Sequence, residues 1–151
     1  MVIINSIKII DEINRLLVEK YPGCTVYIDI CPKNFERPSF LIELITTRQG
    51  PVNKRTIQET VYYSITCFEK TDDYSNSSTI DLLTVQQNVL NIFRAGYIKV
   101  DDRAIEVKAS SGGRDFNQAY IDLQFEYYDN RSDDEDTTPK MKEVIMAMKE
   151  E

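Results

Sequence analysis

Histidine is absent from this chain of 151 residues. Its absence excludes Ser–His–Asp and Cys–His catalysis and every zinc site that uses imidazole. Cysteine is scarce. Cys24, Cys31 and Cys67 cannot all pair within one chain, and none sit in a Cys-x-x-Cys spacing. They read as reduced, partly buried thiols of a reducing compartment. Basic clusters are also lacking: Lys plus Arg number 18 against 25 Asp plus Glu, a net charge of -7. Affinity for duplex DNA or an anionic membrane is built from Lys and Arg, so neither sequence-specific nucleic-acid binding nor membrane binding is expected. No stretch approaches the roughly 20 apolar residues that span a bilayer. The N-terminal segment Met1–Lys8 is broken by Asn5 and Lys8, unlike a signal peptide.

What is present suits one domain with a hydrophobic core. The body of the chain is nearly balanced in charge, and the segment after Tyr128 carries the acidic excess. Ser6 is positioned to cap a first helix, with Ile7, Ile10, Ile13 and Leu17 at helical spacing. Tyr21-Pro22-Gly23 stops it. Cys24 to Ile30 alternates as a strand. Cys31 to Pro38 is a loop, and Ser39 to Thr47 reads as a second strand. Both faces of that strand are mostly apolar, which predicts a central strand covered on both sides. A turn over Gln49–Lys54 leads into a third strand from about Arg55 to Phe68, the clearest period-two pattern in the chain. It is longer than most strands, so part of it is expected to project as a hairpin arm.

Lys70 to Ser78 is polar and turn-rich. Ser78 or Thr79 can cap a second helix from Ile80 to about Arg94, ended by Gly96, with Leu83, Gln87 and Leu90 near one stripe and Leu82, Val85, Val89, Ile92 and Phe93 filling it out. Tyr97–Val100 and Arg103–Ala109 form a hairpin across Asp101-Asp102. Ser110–Asp115 reads as a mobile loop, and Ala119–Tyr128 as the last strand. Residues 129–139 form an acidic linker, and residues 140–151 a short amphipathic helix. The expected class is α+β: a mainly antiparallel sheet of about six strands with helices on one face, in the order α-βββ-α-βββ-α.

No constellation carries catalysis. Asp101-Asp102 fits paired acids or a metal ligand on paper, but adjacent acids at a hairpin tip are turn residues first. Asp72-Asp73 and Asp133–Asp136 lack the ligand spacing of a calcium loop. Ser110-Ser111-Gly112-Gly113-Arg114 lacks the Gly-Lys-Ser/Thr ending of a phosphate-binding loop. No cofactor and no metal are expected. Tyr62, Tyr120 and Tyr128 lie among acids and hydroxyls, which suits a protein–protein surface better than a nucleic-acid groove.

Arg37-Pro38-Ser39-Phe40-Leu41-Ile42-Glu43-Leu44 gives a Pro-x-Phe-x-Ile-x-Leu second strand. Arg55 leads a third strand through Tyr62, Ile65 and Phe68, and Ala119–Tyr127 closes the pattern. Over residues 1–128 this order resembles the tail terminator family of phages and prophages, more narrowly the short terminators of prophages in Gram-positive bacteria. The resemblance implies a structural protein of the virion tail or a phage-tail-like particle, assembled in the host cytoplasm. It implies a hexameric ring that caps the head-proximal end of the tail tube. Its partners would be copies of itself, the tube protein, and a head connector or tail sheath. The interface residues expected on that basis are Arg48, Asn53, Lys54, Arg55, Tyr62, Tyr74, Arg114 and Phe116. Met141 and Ile145, on the C-terminal helix, would dock on an adjacent protomer. Another neck protein, a cytosolic adaptor for a basic partner, and a carboxylate-dependent hydrolase using Asp101 and Asp102 are the competing readings.

Overall fold

The computed structural model describes residues 5–130. The elements run α1 (Ser6–Lys20), β1 (Thr25–Ile28), β2 (Ser39–Pro51), β3 (Thr56–Phe68), α2 (Thr79–Ile92), β4 (Tyr97–Val100), β5 (Arg103–Arg114) and β6 (Gln118–Asn130). The expected C-terminal helix, with Met141 and Ile145, and most of the expected linker lie outside the described residues; β6 itself continues through Asp129 and Asn130. The strands form one sheet in the order β1-β2-β3-β6-β5-β4. All pairs are antiparallel except β1 with β2, which is parallel. That exception departs from the expectation drawn from short connections. The ten residues 29–38 are enough to carry the chain back to the start of β2 without a helix.

Alternation along the strands sorts side chains onto two faces. Phe40 and Ile42 of β2, Val61, Tyr63, Ile65 and Cys67 of β3, Ile105 and Val107 of β5, and Ile121, Leu123 and Phe125 of β6 are buried on one side. Ile9, Ile13 and Leu17 of α1 and Leu82, Val85 and Val89 of α2 join the same cluster. Both helices therefore cover this helix side, and among the described residues no element covers the other, open side of the sheet. The period-two reading of β3 holds from Val61 to Ile65, and Thr66 and Phe68 are buried as well. Residues 56–60 are all half-buried, and no part projects as the expected hairpin arm, because β3 pairs with β2 and β6 along its length. The expectation that β2 is covered on both sides does not: Leu41 and Glu43 are only half-buried on the open side.

The helices meet expectation in part. Asn5, not Ser6, caps α1, its Oδ1 accepting the Lys8 N–H at 2.9 Å. The buried stripe is Ile9, Ile13 and Leu17, and Ile7 points to solvent. On α2, capped by Ser78, the expected Leu82, Val85 and Val89 are buried and Gln86 joins them, while Leu83 and Gln87 are exposed. Gln86 is drawn inward because its amide donates to the carbonyls of Gly113 at 3.0 Å and Tyr120 at 2.9 Å. Two buried acceptors outweigh the cost of burying the amide.

Two segments expected as loops are strand. β2 continues to Pro51, so the β2–β3 turn is confined to residues 52–55. β5 continues to Arg114, and the expected mobile loop at 110–115 is mostly a bulged strand, with the register shifting between Ser111 and Arg114. Gly112 lies so close to β6 that a Cβ there would meet Asp122 Oδ2 at 2.9 Å, and Gly113 takes φ +94°. The pair serves a bulge that only glycine fits. β1 is shorter than expected because Asp29, at φ 63°, turns the chain out of the sheet.

Candidate functional site

The strands of the open side present a polar surface. Across it, Thr46 of β2, Tyr62 of β3, Gln124 of β6 and Lys108 of β5 stand level in the register. One step toward the β2–β3 turn, Arg48, Thr60, Glu126 and Glu106 do the same. The Arg48 guanidinium lies 5.6 Å from the centre of the Tyr62 ring, an attraction between a cation and a π face that orders both side chains. A shallow groove of about 470 Å³ runs between them, lined by Ile45, Arg48, Tyr62, Lys108, Asp122 and Gln124.

Arg48 and Tyr62 are thus the two expected interface residues that the structure brings together. Asn53, Lys54 and Arg55 form the β2–β3 turn, where Asn53 Oδ1 accepts the Arg55 N–H at 2.8 Å. Tyr74 and Phe116 sit at the opposite end, in the loops that leave β3 and enter β6. The Ser77 N–H donates to the Phe116 carbonyl at 2.9 Å and ties the two loops together. Arg114 ends β5 beside them, in strand and not in loop as expected. The thirteen-residue β3 separates the two ends by about 40 Å at ~3.3 Å per residue.

The far end is held by Arg37. Its guanidinium donates to the carbonyls of Glu69 at 2.8 Å and Asn117 at 3.0 Å and lies against the rings of Phe35 and Phe68. The near end is held by Lys8, whose ammonium pairs with Asp101 at 2.9 Å across the β4–β5 turn. Asp101, at φ 54°, is a turn residue bound to a neighbouring lysine.

Titration is perturbed mainly on the helix side. Burial pushes the Cys67 thiol up to about 12. The Tyr63 phenol is pushed well above its ordinary range by burial, and donates to the Ser6 carbonyl at 2.7 Å. The Tyr127 phenol is also pushed up, by burial first and then by its hydrogen bond to Glu59. These shifts hold packed groups neutral and lie away from the open side. The open side offers hydrogen bonds, one ordered cation over an aromatic ring, and exposed aliphatic side chains.

Those aliphatics are what the sequence reading missed. Ile30 and Ile45 are 78% and 60% exposed, although both sit in apolar patterns that read as strand faces. The positive φ of Asp29 and the bulge between Leu44 and Thr46 put Ile30 and Ile45 outside the alternation. Neither feature leaves a mark in residue types.

Among the described residues, no helix is long and apolar enough to cross a membrane. No curated protein matches the chain. One family model, described as phage tail terminator protein, matches residues 8–139 and so runs past β6 through the acidic segment. A match over that share of the sequence, on a mostly antiparallel sheet with helices on one side, is enough to place the chain: it belongs to the phage tail terminator family, structural proteins of phage tails.

Proposed function

We propose that this protein forms a ring of about six copies on the head-proximal end of a tail tube. There it stops further tube growth and presents a surface to a head connector or a tail sheath. The observation that carries this reading is the family match over residues 8–139. The geometry supports it. A ring subunit must meet the tube on one side and the next component on the other. The candidate residues fall into two groups at opposite ends of β3: Asn53, Lys54 and Arg55 at one, Tyr74, Arg114 and Phe116 at the other. Arg48 and Tyr62 lie between them on the open side. The particle's tail is the protein's place of work, and its binding partners are proteins.

The test uses the tube protein of the same particle. Tube protein polymerised alone gives tubes of open-ended length. Added full-length protein is expected to shorten them and to appear by electron microscopy at one end only. Unchanged tube lengths at a molar excess of the protein, with no density at either tip, would overturn the proposal.

A further inference from the structure

Two stretches of strand edge are unpaired among the described residues. β1 pairs with β2 only from Thr25↔Ser39 to Ile28↔Ile42. Asp29 then donates its N–H to the Ile42 carbonyl at 2.8 Å and accepts the Leu44 N–H on its carboxylate before leaving. From Ile45 to Pro51, β2 has β3 on one side and no strand on the other. On the opposite side of the sheet, β4 pairs with β5 only from Arg103 to Glu106, and the Val107 N–H reaches the Gly96 carbonyl. From Lys108 to Ser111, β5 has only β6 beside it.

The backbone groups on these edges can be assigned. The Val52 N–H donates to Thr56 and so faces β3. Alternation in an antiparallel pair then turns Thr47 and Gln49 outward. Pro51, which has no N–H, falls at the next outward position, where no ladder bond is lost. On β5 the outward Val107 N–H makes Ala109 and Ser111 outward as well. Both edges therefore carry unsatisfied donors and acceptors, the groups that template strand pairing.

The two edges match in direction and height. Successive antiparallel pairings through β3 and β6 make β2 and β5 run in opposite senses. Two copies placed side by side in the same orientation would thus bring β2 against β5 as an antiparallel pair. Thr46 and Lys108 stand level across the sheet, so the free part of β2 lies toward the β2–β3 turn and the free part of β5 away from it. Aligning them needs a slide of about four residues, ~13 Å, over a four-strand repeat of ~19 Å. That corresponds to a strand tilt of about 35°, the value at which sheets close on themselves. β1 and β4 cover the rest of each edge and clear one another. Beside the β2 edge stand the exposed side chains of Ile28, Ile30, Leu44 and Ile45.

We propose that residues 47–50 of one copy pair antiparallel with residues 108–111 of the next copy, and that Ile45 flanks this seam on the open side of the sheet. This seam rests on the ring reading and names the surface that builds the ring.

The test is hydrogen exchange on the full chain, as assembled rings and as dissociated subunits, with Thr47→Pro and Ile45→Lys as variants. The amides of Thr47, Gln49, Ala109 and Ser111 are expected to exchange at least tenfold more slowly in the ring. Thr47→Pro removes an outward N–H without removing a β3 ladder bond and should raise the concentration needed for assembly at least tenfold. Ile45→Lys changes only an exposed side chain and should do the same, which covers the case of a misfolded proline variant. Rings whose four amides exchange as freely as in subunits, or rings unaffected by Ile45→Lys, would overturn the seam and leave the ring standing. If no ring forms alone or on tube tips, the ring reading falls and the seam with it. Protection already present in single subunits and lost on deleting residues 131–151 would assign the edge to the chain's own tail and overturn the seam.

Discussion

Between Ser39 and Ile42, β2 lies between two strands and sends Phe40 and Ile42 into the core. Between Ile45 and Pro51 the same strand has one neighbour, and every residue but Gly50 is exposed. β3 shows the same division: Val61 to Phe68 alternate into the core or are buried outright, while Thr56 to Thr60 are only half-covered. Burial of apolar area is what stabilises a domain of this size. The first half of the hairpin therefore holds the fold, and the second half is free to vary its chemistry at little cost to stability. A surface that contributes little to folding yet keeps an ordered Arg48–Tyr62 pair and unpaired backbone groups is suited to contact with other subunits.

The largest effect should come from the covered half. Ile65→Ala removes a fully buried side chain and should cost about 2–5 kcal/mol, read by urea unfolding; a loss under 1 kcal/mol would erase the contrast. Alkaline pH probes the same half. The phenols of Tyr63 and Tyr127 have folded pKa values above the ordinary 10.0. Their contribution is whole below pH 10 and is lost as pH rises beyond it, because the unfolded chain ionises first. The melting temperature should fall from about pH 10 upward, and Tyr63→Phe should flatten that fall.

Gln86→Ala leaves the Gly113 and Tyr120 carbonyls without their donor and should cost about 1–3 kcal/mol. Asn5→Ala removes the α1 cap and should cost about 1 kcal/mol. The smallest stability effect belongs to the exposed half. Arg48→Ala lies on an exposed strand and should change stability by less than about 0.5 kcal/mol while weakening attachment to tubes. An Arg48→Ala variant that unfolds early would mean the exposed half is part of the core after all.

The covered half was also the more legible in sequence. β3 declares itself because Ile57, Val61, Tyr63, Ile65 and Cys67 alternate with polar residues over its whole length. The α1 stripe was misplaced because isoleucines at 7, 9, 10 and 13 fill two overlapping stripes, and only packing against the sheet selects Ile9. Gly112-Gly113 reads as a mobile loop because paired glycines signal flexibility; the close approach of Asp122 shows that they serve a bulge. The parallel β1 and the free edges were not legible at all. They follow from where Asp29 turns and where Leu44 and Thr46 slip register. These are single-residue events with no periodic signature.

The central claim is that this chain ends tube growth by docking. It is tested most directly by electron microscopy of particles made in cells lacking it. The account predicts tubes of uncontrolled length without attached heads, and restoration of uniform length by the wild-type chain. Tails of normal length joined to heads in its absence would contradict it.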